Sequence, residues 1–263
     1  MTNFEAGIKA LILDMDGVLW RGPEPIGNLP EIFSRLAHNG VRVVLATNNS
    51  TRTVMQYVRR VREFGVDLQP WQIVTSAQAT VDMLLEHYPG KGTVFVVGEQ
   101  SLSNTLEEAG FAVGELNVVA VVAGMDRGFS YEKLRKATLL IRSGALFIGT
   151  NPDLTFPTPD GLVPGAGAIL AAIQAAAHTE PVIAGKPSPR MYQIALQRLS
   201  TKPEETLVVG DRLETDIAGG QRLGCPTALV LSGVVDRTIA EAWRPAPNII
   251  AADLAEVVEL LGS

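Results

Sequence analysis

Cysteine is nearly absent from this chain: Cys225 stands alone, so no intrachain disulfide can form and no second thiolate is available to share a zinc ion. That usage fits a reducing cytoplasm. Histidine is almost as scarce. His38, His87 and His178 fall near the expected C-terminal ends of helices, where a ring can meet exposed carbonyls and the helix dipole. None belongs to a motif, which leaves neither a Ser-His-Asp triad nor a histidine zinc site to argue for. Long apolar runs are missing too. Charges at Glu5 and Lys9 are followed only by Ala10 to Leu13, far too short for a signal or membrane segment. The expectation is a soluble, unprocessed chain with no membrane partner. Its net charge of −6 is spread without long like-charge runs, so there is no basic footprint for nucleic acid.

What is present is apolar and aliphatic: hydrophobic residues make up 46% of the chain, charged ones 19% and aromatics only 6%. That balance suits helices packed on a parallel sheet. Short β-rich runs alternate with helical patterns throughout, the mark of right-handed βαβ units. Strands are expected at Ile8 to Leu13, Val41 to Ala46, Pro181 to Ala184 and Thr206 to Val209. Helices are expected at Pro30 to Asn39, Thr51 to Phe64 and Glu214 to Leu223. Strands at Thr93 to Val97, Val118 to Ala123 and Ala145 to Ile148, with helices at Gln100 to Ala109 and Tyr131 to Ser143, suffice for a smaller second domain. The expected organisation is a core over 1–80 and 181–263, interrupted by an α/β cap over 81–180. No repeat or low-complexity tract intervenes.

Chemistry concentrates where strands end. Asp14-Met15-Asp16-Gly17-Val18-Leu19 directly follows the first strand. Carboxylates two apart point to opposite faces of a continuing strand, so both serve one site only if the chain turns at Asp16-Gly17. The chemical reading makes Asp14 a nucleophile and Asp16 an acid–base partner, in a cluster able to hold a hard, oxygen-preferring cation. Alone, the motif reads equally well as a strand-ending turn. An EF-hand loop is excluded, since Val18 stands where a third oxygen ligand is needed.

Three further sites keep it company. Thr47 ends the second strand ahead of Asn48-Asn49-Ser50 and a helix, which suits either an anion site or a plain N-cap. Lys186 sits in Gly185-Lys186-Pro187, where a cation could neutralise a phosphoryl group or simply be solvated. A Walker A loop is excluded there by Glu180 in place of the first glycine and by Pro187 after the lysine. Gly210-Asp211-Arg212-Leu213-Glu214-Thr215-Asp216 adds two carboxylates, either of which could serve a turn or a helix start. Each site follows its own expected strand, so one doubly wound sheet could gather them along its ligand-binding edge.

Other features read as structural. Gly165-Ala166-Gly167-Ala168-Ile169-Leu170 lacks the last small residue of a dinucleotide loop and reads as the start of an Ala-rich helix. Trp20 is expected to pack and Arg21 to be solvated. Thr150-Asn151-Pro152-Asp153 carries strong turn chemistry.

The order Asp14-x-Asp16, Thr47, Lys186, Asp211 with Asp216 resembles the four-motif signature of the haloacid dehalogenase superfamily, in the branch of p-nitrophenyl phosphatase, phosphoglycolate phosphatase and NagD-like enzymes. The short interval between Asp16 and Thr47 and the long one before Lys186 resemble that branch's cap, inserted between the second and third motifs. The resemblance implies a Rossmannoid α/β core and a magnesium-dependent phosphomonoester hydrolase acting on a small phosphorylated metabolite. It implies attack by Asp14, with Asp16 protonating the leaving alkoxide and later activating water. Thr47, amides near Asn48 and Asn49, and Lys186 would hold the phosphoryl oxygens. Mg²⁺ would lie among Asp14, the Asp16 carbonyl and Asp211, with Asp216 orienting them, and the protein would form a homodimer through its cap. The competing reading is a non-catalytic phosphometabolite-binding protein of the same fold.

Overall fold

The computed structural model describes residues 7–158 and 161–262. Residues 1–6, with the charge at Glu5, lie outside the described residues. The strands in chain order are β1 (Ala10–Leu13), β2 (Trp20–Arg21), β3 (Glu24–Pro25), β4 (Arg42–Thr47), β5 (Ile73–Thr75), β6 (Thr93–Val97), β7 (Ala112–Val113) and β8 (Val118–Ala123). They continue as β9 (Leu146–Gly149), β10 (Thr155–Thr158), β11 (Gly161–Pro164), β12 (Val182–Ile183), β13 (Thr206–Gly210), β14 (Thr227–Val230) and β15 (Ile249–Ala251). The chain divides into two compact units. One runs through Thr47 and takes in Val54–Val74 and everything from Pro187, and the other comprises Asn48–Thr53 and Thr75–Lys186.

The first unit is a doubly wound α/β domain with strand order β15-β14-β13-β1-β4-β5. Its pairs β1–β4, β1–β13, β13–β14 and β14–β15 are all parallel. All four residues of β1 are buried, because helices cover both faces of the sheet. On one face Leu11, Leu13, Val43, Leu45, Leu207 and Val209 join Ile32 and Leu36 of the helix Leu29–His38 and Val58 and Val61 of the helix Val54–Glu63. The former helix starts at an Asn28 cap with Pro30 in its first turn, and ends where Gly40 takes φ +69°. From β1 the chain winds outward through β4 and β5, while from β13 it winds the other way. The winding therefore reverses between β1 and β13, and the carboxyl ends of that pair form the crevice in which such sheets bind ligands.

The second unit has its own parallel sheet, ordered β12-β9-β8-β6-β7, with the antiparallel hairpin β10–β11 beside it. Phe95, Val97, Val121, Ala123 and Phe147 pack against Ala137 and Ile141 of the helix Tyr131–Arg142 and against Ile169, Leu170 and Ile173 of the helix Ala166–Ala177. The Gly165 segment thus begins a helix, as its composition suggests. The expected cap stretch 81–180 lies inside this unit.

One strand departs from expectation. The run at 181–184 is expected in the core, but β12 pairs in parallel with β9 at the edge of the second sheet. A two-residue strand carries no pattern of its own. The Ala-rich helix joining β9 to β12 is the ordinary crossover between parallel neighbours, and that decides its partner. Lys186 accordingly follows a strand of the second sheet, so one sheet does not gather all four motifs. No helix among the described residues is long and apolar enough to cross a membrane.

Candidate active site

Asp14 directly follows β1, and its amide donates to the Val209 carbonyl at 2.9 Å, extending the parallel ladder by one residue. The chain then turns as Asp16-Gly17 suggested. Gly17 adopts φ +89°, its N–H donates to the Trp20 carbonyl at 2.8 Å, and the Leu19 N–H closes onto the Met15 carbonyl at 2.8 Å. Gly17 is required for two reasons. A side chain disfavours that φ, and a Cβ would lie 2.5 Å from Asp211 Oδ2.

Asp211 follows β13 across the same crevice and is almost wholly buried. Its Oδ2 accepts from the Val234 N–H at 3.1 Å, and the loop after β14 comes so close that a Cβ on Gly233 would lie 2.0 Å from that oxygen. Asp216 arrives differently. The expected helix Glu214–Leu223 is instead a π-turn, Leu213–Ile217, running into the short helix Ala218–Arg222. Wider turns of this kind free carbonyls from the helical ladder. Two of them accept the buried hydroxyl of Tyr192, Thr215 at 2.9 Å and Asp216 at 3.2 Å. The Asp216 carboxylate folds back to accept from the Arg212 N–H at 3.1 Å.

As a result Asp14, Asp211 and Asp216 each present a carboxylate oxygen within 4.8 Å of the other two. Three like charges this close repel one another unless a cation or protons intervene. The donor set holds oxygen and neither nitrogen nor sulfur, which fits a hard divalent ion such as Mg²⁺ and disfavours zinc. Asp216, expected to stand behind the metal, lies within the group itself. Asp16 is outside this carboxylate group, and its exposed side chain accepts from the Trp20 indole N–H at 2.7 Å.

Thr47 is the buried last residue of β4, strand neighbour of β1. The following helix begins only at Val54, so Thr47 is not its N-cap; the segment 48–53 intervenes and belongs to the second unit. There Asn48 and Lys186 are both buried and read each other: the Lys186 N–H donates to Asn48 Oδ1 at 2.8 Å, and Asn48 Nδ2 donates back to the Lys186 carbonyl at 3.0 Å. The Asn48 carbonyl accepts from Ser76 Oγ and from Asn151 Nδ2, each at 2.7 Å. Gly185 permits this approach, since a Cβ there would lie 2.3 Å from the Thr150 carbonyl. Asn49 Oδ1 accepts from the Thr51 N–H at 2.9 Å and hydroxyl at 2.7 Å, a local turn.

Sequence reading missed Tyr192, Gly233 and the polar contact of Trp20. Tyr192 sits in an ordinary amphipathic helix, Pro189–Leu199, with nothing local to mark its hydroxyl. Gly233 alone offered a signal, as a glycine in the loop after a buried strand. The three histidines lie at helix ends as expected: His38 and His87 in last turns, His178 as a left-handed cap.

Comparison with known proteins agrees with this geometry. Residues 11–112 match the family model described as haloacid dehalogenase-like hydrolase, and residues 183–257 match a second described as HAD-hydrolase-like. The chain is similar to a dihydroxyacetone phosphatase of Corynebacterium glutamicum, 37% identical over 94% of this chain and 90% of that one. It is similar to an acid sugar phosphatase of Staphylococcus aureus, 36% identical over 95% and 96% of the two chains. Among solved structures it resembles glycerol phosphate phosphatase from Mycobacterium tuberculosis in complex with magnesium. That match has a TM-score of 0.89 and 32% identity, and covers 97% of this chain and 78% of that one.

Proposed function

The chain belongs to the haloacid dehalogenase-like hydrolases and is a phosphatase of that family; from this premise we propose that it is a Mg²⁺-dependent hydrolase of small polyhydroxylated phosphate monoesters, working in the cytoplasm. The observation that carries the reading is the meeting of Asp14, Asp211 and Asp216 carboxylates at the reversal point of the first sheet. The substrate class is inferred from the relatives' names, which speak of dihydroxyacetone, acid sugar and glycerol phosphates.

In this reading an Asp14 oxygen attacks phosphorus, forming an aspartyl phosphate as the bond to the leaving oxygen breaks. Asp16 gives its proton to that oxygen, releasing the alcohol. Asp16 then takes a proton from water, whose oxygen attacks phosphorus, and inorganic phosphate leaves with Asp14 regenerated. Thr47, the amides at Asn48 and Asn49, and Lys186 are assigned to the phosphoryl oxygens from the motif order. Asp14, Asp211 and the Asp16 carbonyl would hold Mg²⁺, with Asp216 in support, and the ion would supply charge stabilisation to the transferring group. Everything else such a transfer needs is positioning.

The test is a panel of triose, glycerol, sugar, nucleoside, glycolate and p-nitrophenyl phosphates, with Mg²⁺ and with chelator. Mg²⁺-dependent release of phosphate is expected, with loss of turnover in a folded Asp14→Asn variant. A panel without any Mg²⁺-dependent turnover would overturn the metal-dependent reading.

A further inference from the structure

We propose that Trp20 is a positioning residue for the reaction: its indole N–H pins one oxygen of the Asp16 carboxylate and so sets where the other delivers and collects protons. The proposal rests on the acid–base role given to Asp16 above. Composition alone makes Trp20 a packing residue, and it is one, with 1% of its surface exposed. Burial, however, raises the question of its N–H. An indole has one donor and no acceptor, and leaving that donor unpaired in the interior is costly. The acceptor it finds is Asp16 Oδ1 at 2.7 Å.

The backbone makes the encounter inevitable. The turn at Gly17 brings the chain back so that Asp16 and Trp20 form a bridge, and Ser232 Oγ holds the Gly17 carbonyl at 2.7 Å. Trp20 then opens the two-stranded ribbon β2–β3. Its ring has two further contacts: the Arg60 guanidinium lies 4.5 Å over its centroid, and Phe64 meets it at 5.8 Å in a tilted contact. Arg60 in turn donates to the Gly22 carbonyl in the turn of that ribbon. An exposed aspartate would otherwise turn freely about its side-chain bonds. Here a buried, clamped donor selects one arrangement, which leaves Oδ2 as the oxygen for proton transfer.

Leaving-group dependence separates positioning from packing. Trp20→Phe keeps a ring in place and removes the N–H. A p-nitrophenolate departs without needing a proton, whereas the alkoxide of glycerol phosphate does not. The measure is kcat/KM, which covers only the steps through transfer to Asp14; the later hydrolysis is common to both substrates. The expectation is a fall of roughly ten- to a hundredfold for glycerol phosphate, a part of what general acid catalysis contributes, and less than about threefold for p-nitrophenyl phosphate. Equal falls, or none, would overturn the proposal.

A second measurement needs no turnover. In a ¹H–¹⁵N spectrum of the full chain with Mg²⁺, the Trp20 indole peak is identified by its loss in Trp20→Phe. Asp16→Ala, at an exposed position, should move that peak and speed its exchange with solvent, and an unmoved peak would refute the contact. A wild type that hydrolyses no ester would sink the phosphatase reading, while the indole peak would still decide whether Trp20 holds Asp16.

Discussion

Gly233→Ala puts the assignment of Asp211 to the metal under direct strain. The added methyl would lie 2.0 Å from Asp211 Oδ2 and 2.2 Å from Asp211 Cβ, while real Cβ atoms essentially never approach closer than 3.0 Å. Either the carboxylate or the loop must therefore give by at least about 1 Å, and if the loop yields, the Val234 N–H that holds Oδ2 at 3.1 Å goes with it. Mg²⁺ takes its oxygens at about 2.0–2.1 Å in nearly octahedral geometry and tolerates no such displacement. Misplacing a group by about 1 Å costs on the order of a hundredfold in rate. The expected result is a Mg²⁺ concentration for half-activation raised at least about tenfold, together with a fall of about a hundredfold in kcat/KM at the wild-type optimum. Titration of activity with Mg²⁺ reads both, and circular dichroism checks the fold. A Gly233→Ala enzyme with half-activation within about twofold of wild type would refute a metal role for Asp211.

Other perturbations have defined outcomes. Tyr192→Phe deprives the buried carbonyls of Thr215 and Asp216 of their shared hydroxyl and should cost about 1–3 kcal/mol, read as a lower urea midpoint with unchanged slope. Asn48→Ala removes the acceptor of the Lys186 N–H, so the amide exchange of Lys186 should speed up and kcat/KM should fall about tenfold. Burial pushes the Cys225 thiol up to about 12, with the Glu204 carboxylate adding to the effect, so native protein should resist iodoacetamide at pH 8. Because that folded-state value lies above the ordinary one of 9.0, its contribution to stability is intact below pH 9 and is lost as pH climbs toward 12. A melting temperature that held steady across that interval would contradict the burial argument.

Most of the scaffold was legible because parallel strands buried on both faces leave unbroken aliphatic runs. Thr93–Val97 and Val118–Ala123 coincide with expectation to the residue, and β1, β4 and β13 shift by two residues or fewer at either end. The carboxylates were legible for a related reason: they interrupt the chain where such runs stop. What escaped depends on partners distant in sequence. β12 is too short to declare its sheet, and the π-turn at Leu213–Ile217 has no local signature distinguishing it from a helix start. Trp20 was read by its surface and not by its one polar atom, whose acceptor lies four residues back only because Gly17 turns the chain.

The standing of Asp216 is where sequence and structure differ most usefully, and glycine substitution can decide it. The family resemblance casts Asp216 as an orienter of the metal group, and the geometry sets its carboxylate within 4.8 Å of both Asp14 and Asp211. Its bond from the Arg212 N–H spends one oxygen on holding the loop, which suits an orienting residue. A Cβ on Gly210 would lie 2.2 Å from Asp216 Cβ, so Gly210→Ala displaces Asp216 as Gly233→Ala displaces Asp211. If Asp216 only orients, Gly210→Ala and Asp216→Asn should each raise half-activating Mg²⁺ by about tenfold, the scale of outer-sphere losses, while Asp211→Asn should abolish activation. If Asp216 ligates directly, Asp216→Asn should match Asp211→Asn. Equal loss in the two asparagine variants would move Asp216 into the metal's own coordination, and no effect from either Asp216→Asn or Gly210→Ala would remove it from the site.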